Sequence, residues 1–135
     1  CALPIYYNLV VRLLNDRFGV QARGGCSCAG TYGHYLLHVD PTRSKAITDR
    51  IDAGDLSEKP GWVRLSFHPT TTDAEIRHTL DAVAEIAEHG ATWAADYLYD
   101  PHTNEFVHRK WDSGLRGMVQ GWYAGVTPAG AVRGA

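Results

Sequence analysis

The sequence contains no apolar run near the roughly 20 residues that a membrane-spanning helix needs. No positively charged segment followed by an apolar one opens the chain, so a secretory leader is not expected. The formal charge of −2 leaves no basic patch of the size that nucleic acid binding requires. We therefore expect neither a membrane nor a nucleic acid among the partners.

Sulfur-containing residues are also scarce. The three cysteines, Cys1, Cys26 and Cys28, are too few for a disulfide framework, and a reduced cytoplasmic setting is the simpler interpretation. Because the count is odd, at least one thiol stays free. The only methionine is Met118 and the chain begins at Cys1, which suggests that it was cut from a longer polypeptide.

The remaining composition is that of one soluble globular domain. The 135 residues are 44% hydrophobic and 21% charged, ordinary values for such a domain. From Asp112 onward glycine and alanine dominate, so residues 112–135 are predicted to form a flexible tail. The folded part should lie within residues 1–111.

Helical periodicity is clearest in two segments. The first runs from Tyr6 to Phe18 and should end at Gly19. The second should begin at a capping box made by Thr72 and Glu75 and end at Gly90. Its inward residues are predicted to be Ile76, Leu80, Val83 and Ala87, and its solvated face Asp73, Arg77, Asp81 and Glu85. Shorter helices are predicted over 32–39 and 41–54.

Strand signals are shorter. Residues 20–23 alternate briefly and should deliver Arg23 to a loop, and residues 62–67 alternate as a half-buried strand that carries Arg64. A hairpin or an irregular extended arm is expected from 97–99 and 106–108. Two sequential strands do not make a stable sheet, so at least one further strand should join them. The order predicts an α+β fold, a small sheet covered by helices.

The segment 23–30 carries the chemistry. It reads Arg-Gly-Gly-Cys-Ser-Cys-Ala-Gly, and three glycines in the seven residues after Arg23 let the backbone approach a ligand closely. A nucleophilic thiol needs access and a nearby cation, which Cys28 and Arg23 can supply. Arg64 offers a planar fork suited to a carboxylate. The alternative for Cys28 is a small buried thiol, and Cys26 fits a packing role.

These residues resemble the class V aminotransferase family of pyridoxal-phosphate enzymes. The pattern from Arg23 to Ala29 is similar to the active-site cysteine loop of its cysteine desulfurase and selenocysteine lyase members, with Arg23 on the family's arginine, Gly25 on its glycine and Cys28 in the catalytic position. The wider stretch from Leu13 to Gly30 more closely resembles a poorly characterised branch of the same family. Residues 61–67 resemble the strand whose arginine binds the substrate carboxylate, which assigns that role to Arg64.

The resemblance covers residues 6–110 and implies the C-terminal small domain of such an enzyme. It further implies pyridoxal phosphate as cofactor, an amino-acid substrate and a homodimer. None of the lysines, Lys45, Lys59 and Lys110, has the histidine-lysine context of the family's cofactor anchor. We therefore expect that the cofactor is bound in a parent enzyme and not by this chain alone, which should be inactive in isolation.

Other interpretations remain open. The chain could be a non-catalytic interaction or assembly module derived from that domain, or a thiol-based carrier of metal or sulfur. Cys26, Cys28 and His34 could be three metal ligands, but their spacing is unusual and no fourth ligand stands nearby, so no metal site is predicted. The sequence does not distinguish transamination from sulfur or selenium release.

Overall fold

The computed structural model describes residues 6–26, 30–110 and 114–123, which form a mixed α+β fold. Its helices and strands follow in chain order: α1 (Tyr7–Phe18), β1 (Arg23–Gly25), α2 (Gly30–Leu36), α3 (Pro41–Asp52), β2 (Trp62–Arg64), α4 (Asp73–Trp93), a 3₁₀ turn (Ala94–Asp96), β3 (Tyr97–Asp100), β4 (Glu105–His108) and α5 (Gly114–Tyr123). No helix in these ranges is long and apolar enough to cross a membrane.

Helix α1 is the centre of the fold, and its predicted bounds are confirmed to within one residue. Leu9, Leu13 and Leu14 are buried, as the stripe of apolar residues requires. Gly19 follows in the left-handed conformation at φ 65°, and its N–H donates to the Asn15 carbonyl. Helix α4, the β1–β2 pair and strand β4 all pack on α1. The buried core is Leu9, Leu13, Leu14, Ala82, Ile86, Tyr97 and Phe106.

Helix α4 begins at the predicted capping box, in which the Thr72 hydroxyl accepts from the Glu75 N–H and the Glu75 carboxylate accepts from the Thr72 N–H. Its predicted end is wrong. The helix continues through the buried Gly90 to Trp93, because a single glycine costs a helix only about 1 kcal/mol.

The predicted inward face of α4 is also wrong. The buried residues are Thr79, Ala82, Ile86 and Gly90, whereas Leu80 and Val83 are 55% and 38% exposed. The buried face is thus turned by roughly a third of a turn from the predicted one. The small Ala82 lies in the core with the leucines of α1, and the larger Leu80 and Val83 side chains are left outside.

The strands form two separate antiparallel pairs, β1 with β2 and β3 with β4. The further strand that we expected is not found in the described ranges; each pair is instead stabilised by packing on α1. Strand β1 begins at Arg23 and includes two glycines, contrary to the prediction of a strand over 20–23. Strand β2 ends at Arg64 instead of Phe67. The β3–β4 hairpin agrees with the prediction.

The connecting helices differ in detail from their predictions. Helix α2 begins at Gly30 and ends at Leu36, earlier than expected. Helix α3 begins at Pro41 behind an Asp40 cap and buries only Ile47. Within the segment predicted to be a tail, residues 114–123 form α5, while residues 111–113 and 124–135 lie outside the described ranges.

Candidate functional site

The two arginines singled out in the sequence face each other across the β1–β2 pair. Arg23 is the register partner of Arg64, Gly24 of Val63, and Gly25 of Trp62. Residues directly opposite on paired strands point to the same face. The structure therefore brings Arg23 and Arg64 together, as expected, and Cys26 directly follows β1.

That face of the pair points away from α1. A Cβ on Gly24 would lie 3.0 Å from side-chain atoms of Tyr7 and Val11, so the Gly24–Val63 side is the one that packs on α1. By alternation, Arg23 and Arg64 lie on the opposite side, and both are exposed. Trp62 shares their side and covers Gly33 of α2, where a Cβ would come within 2.9 Å of the indole.

Neither arginine is paired with a carboxylate of the described residues. In the part of the chain that the structure describes, no aspartate or glutamate oxygen lies within 4 Å of either guanidinium. Like charges directly opposite on two strands destabilise the pairing. An anion bound between Arg23 and Arg64 would remove this repulsion, and a planar carboxylate matches the guanidinium fork.

Cys28, for which a catalytic role is predicted, lies outside the described residues, as do Ser27 and Ala29. Its neighbour Cys26 is described and is a half-buried free thiol. Cys26 lines an open cleft of about 340 Å³ at the end of β1. The cleft is lined by Tyr7, Asn8, Arg23, Gly24, Gly25, Cys26, Leu56, Lys59, Thr103 and Asn104.

A polar network fixes one wall of this cleft. Asn104 ends the turn between β3 and β4 with φ 56°, and it is 8% exposed. Its side-chain oxygen accepts from the Tyr99 hydroxyl at 3.0 Å, and its nitrogen donates to the Tyr7 hydroxyl oxygen at 2.9 Å. The Asn8 amide donates to the Asn104 carbonyl. The network joins the hairpin to the first turns of α1.

Tyr7 is held between two glycines. A Cβ on Gly61 would lie 2.6 Å from the Tyr7 ring, and one on Gly24 would lie 3.0 Å from it. Neither residue can carry a side chain without a displacement of the ring. Burial raises the pKa of Tyr7 above its usual 10, although the hydrogen bond from Asn104 acts in the other direction. Tyr7 is therefore a neutral hydroxyl at physiological pH.

The three lysines lie in different surroundings. Lys45 is ion-paired with Asp49 at 2.8 Å on the surface of α3, and Lys110 is exposed after β4. Lys59 lines the cleft, but none of the cleft residues is a carboxylate.

The metal interpretation gains no support from the described residues. His34 is hydrogen-bonded to the Ser44 hydroxyl of α3 at 2.8 Å. In residues 6–26, 30–110 and 114–123, no group of three or more potential ligands among histidine, cysteine, aspartate and glutamate is suitably placed for a metal ion.

Comparison with known proteins gave no match to any protein-family model, curated protein or solved structure. The family assignment thus stays a prediction from the residues quoted above. Three cleft residues, Tyr7, Lys59 and Asn104, were not predicted as site residues. Asparagine in a hairpin turn is a recognisable signal for a left-handed residue, but nothing local in the sequence connects it with Tyr7.

Proposed function

We propose that this chain is the C-terminal small domain of a pyridoxal-phosphate-dependent enzyme of the class V aminotransferase family, with a cysteine desulfurase-like active-site loop. Its part in the reaction is to bind the carboxylate of an amino-acid substrate through Arg64, assisted by Arg23, and to present Cys28 to the substrate. The cofactor itself would be held by another part of a homodimeric parent enzyme.

The observation that supports this proposal most directly is the register of Arg23 with Arg64. Two exposed cations at one position of a strand pair, with no carboxylate within 4 Å among the described residues, favour a site for an anionic ligand. Strand β1 leads directly from this position into the cysteine loop. Substrate carboxylate and thiol could therefore meet at one end of the β1–β2 pair.

Exposed apolar surface supports a domain that belongs to a larger assembly. Tyr32, Tyr35, Leu36 and Leu37, at the end of the cysteine loop and along α2, are between 47% and 78% exposed. A cluster of this kind is more typical of an interface than of a free surface. The same surface would also serve the alternative function, a non-catalytic interaction module.

The cofactor provides the first test. When pyridoxal phosphate is incubated with this chain alone, no visible absorbance band of a lysine aldimine should develop, because none of its lysines has the histidine-lysine context of the family's cofactor anchor. A stable band that maps to one lysine after reduction and peptide mass analysis would contradict the proposal that another part of the parent enzyme holds the cofactor. A start codon immediately before Cys1 would favour the interaction module, and an upstream histidine-lysine anchor would favour the enzyme.

In the enzyme encoded by the complete reading frame, Arg64 should act on substrate binding. Arg64→Gln should lower kcat/KM about tenfold or more, the loss of one charge-assisted pair, with part of the activity restored in Arg64→Lys. Arg43→Gln, an exposed arginine of α3, is the matched control. Equal kcat/KM values in Arg64→Gln and Arg43→Gln would remove Arg64 from the site.

The thiol decides the reaction type. Cys28→Ser should abolish release of sulfur or selenium from cysteine-like substrates while cofactor binding survives, and Cys26→Ser should have much less effect. Full activity in Cys28→Ser would point to a transaminase or another lyase.

A further inference from the structure

The cleft at the end of β1 has an unbalanced charge. Among the described residues, its lining contains the cations Arg23 and Lys59 and no carboxylate. In the described ranges neither cation has an acidic oxygen within 4 Å. Positive charges that line a concave surface concentrate anions there. The electrostatics of the cleft therefore select a negatively charged ligand.

Tyr7 adds a directed hydrogen-bond donor to these charges. A neutral phenol has one proton to donate and two positions at which it can accept. The Tyr7 oxygen accepts from the Asn104 side chain and has the Asn8 side chain as a second partner, and no described side chain accepts its own proton. Because burial raises the pKa of Tyr7, the proton stays in place at physiological pH and is available to a ligand in the cleft.

This donor is held in place before any ligand arrives. Gly24 and Gly61 lie against the Tyr7 ring, and Asn104 is fixed by its bond from Tyr99. A group that is already ordered loses little conformational entropy on binding. The cleft volume of about 340 Å³ is at the lower end of the range for small-molecule sites.

We propose that this cleft is a binding site for a small oxyanion with two negative charges, a phosphate or a dicarboxylate. Lys59 supplies the positive charge that contacts the ligand, Arg23 adds positive potential from the other face of β1, and the Tyr7 hydroxyl donates a hydrogen bond to one ligand oxygen. The site shares Arg23 with the carboxylate site proposed above, but it requires neither Arg64 nor pyridoxal phosphate. Loss of anion binding in Lys59→Gln and loss of activity in Arg64→Gln therefore test the two proposals separately.

The test uses the full chain without cofactor or amino acid. Amide resonances are followed by NMR during titration with inorganic phosphate, with succinate, and with the uncharged succinamide, at constant ionic strength. We expect saturable shifts that are largest at Gly24, Gly25, Cys26 and Lys59. Saturation by phosphate alone identifies a phosphate site, and saturation by succinate alone identifies a carboxylate site. Equal shifts with succinamide, or no saturation with either anion, would overturn the proposal.

Variants assign the contacts. Lys59→Gln should weaken binding of the effective anion about tenfold, and Tyr7→Phe about fivefold, as expected for loss of a charge-assisted hydrogen bond. Lys110→Gln, which removes the same charge outside the cleft, should bind as the unmodified chain does. If Lys59→Gln binds as tightly as Lys110→Gln, the anion is not in this cleft. Lys59 has no side-chain partner among the described residues, so this variant tests the site even if Tyr7→Phe fails to fold.

Discussion

Gly61 is the position at which the smallest change should have the largest structural effect. A Cβ there would lie 2.6, 2.7 and 2.9 Å from three atoms of the Tyr7 ring. The ring has little room to move, because the backbone of Gly24 is also close to it: a Cβ built on Gly24 would lie only 3.0 Å from the ring. Gly61→Ala therefore places a methyl group against an aromatic ring that has little space to move.

The magnitude follows from two opposing effects. Overpacking of a well-filled position costs about 1–3 kcal/mol, and the clamped ring favours the upper part of that range. Replacement of glycine by alanine also restricts the unfolded chain, which stabilises the fold by about 0.4–1 kcal/mol where the backbone is compatible. Gly61 is not among the glycines with positive φ, so this gain applies. We expect Gly61→Ala to lower the free energy of unfolding by about 2 kcal/mol.

Urea denaturation followed by circular dichroism measures this change, and two comparisons isolate its cause. In the Tyr7→Leu background the flat ring is gone, and Gly61→Ala should become neutral or slightly stabilising. Gly30→Ala is the matched control, since a Cβ on Gly30 meets nothing within 4 Å. If Gly61→Ala is as stable as Gly30→Ala, or costs the same with and without Tyr7, the ring is not clamped as described. The anion affinity of the cleft should fall together with stability.

Two further predictions concern stability. Burial and the neighbouring Asp16 carboxylate raise the pKa of Tyr97 from 10.0 to about 12. The stability that Tyr97 contributes is therefore fully present below pH 10 and is lost as the pH rises through 12. The difference in free energy of unfolding between the unmodified chain and Tyr97→Phe should fall by about 2–3 kcal/mol over that interval. A difference that is independent of pH would refute the assignment, and Tyr35→Phe is the exposed control. Thr72→Ala removes one half of the α4 capping box and should lower the free energy of unfolding, measured by urea denaturation, by about 1 kcal/mol. Thr42→Ala, in the exposed first turn of α3, should stay within about 0.5 kcal/mol of the unmodified chain. Equal losses in the two variants would mean that the cap does not stabilise the fold.

Local signals determined the elements whose cause is local. Helix α1 and its end at Gly19 follow from a stripe of leucines and one left-handed residue. The start of α4 follows from two side chains three residues apart, Thr72 and Glu75. Each depends on contacts within a few residues along the chain, so the sequence alone was sufficient to predict it.

The buried face of α4 required the tertiary structure. Two overlapping apolar stripes run along this helix, and the sequence favours the one with larger side chains, Leu80 and Val83. Packing against α1 selected the other stripe, in which the small Ala82 lies in the core with Leu13 and Leu14 of α1. Periodicity shows that a helix has an apolar side, but the shape of the neighbouring element decides which side is buried.

The same division applies to the site. The identities of Arg23 and Arg64 as candidate ligands came from the sequence, but their direct opposition is a matter of strand register. Tyr7 and Asn104 are separated by 97 positions, and Lys59 lies in a loop between them. No periodicity or motif connects three such segments. They form one cleft only because α1, β1 and the hairpin pack around a common core, with glycines where the backbone must come close to the Tyr7 ring.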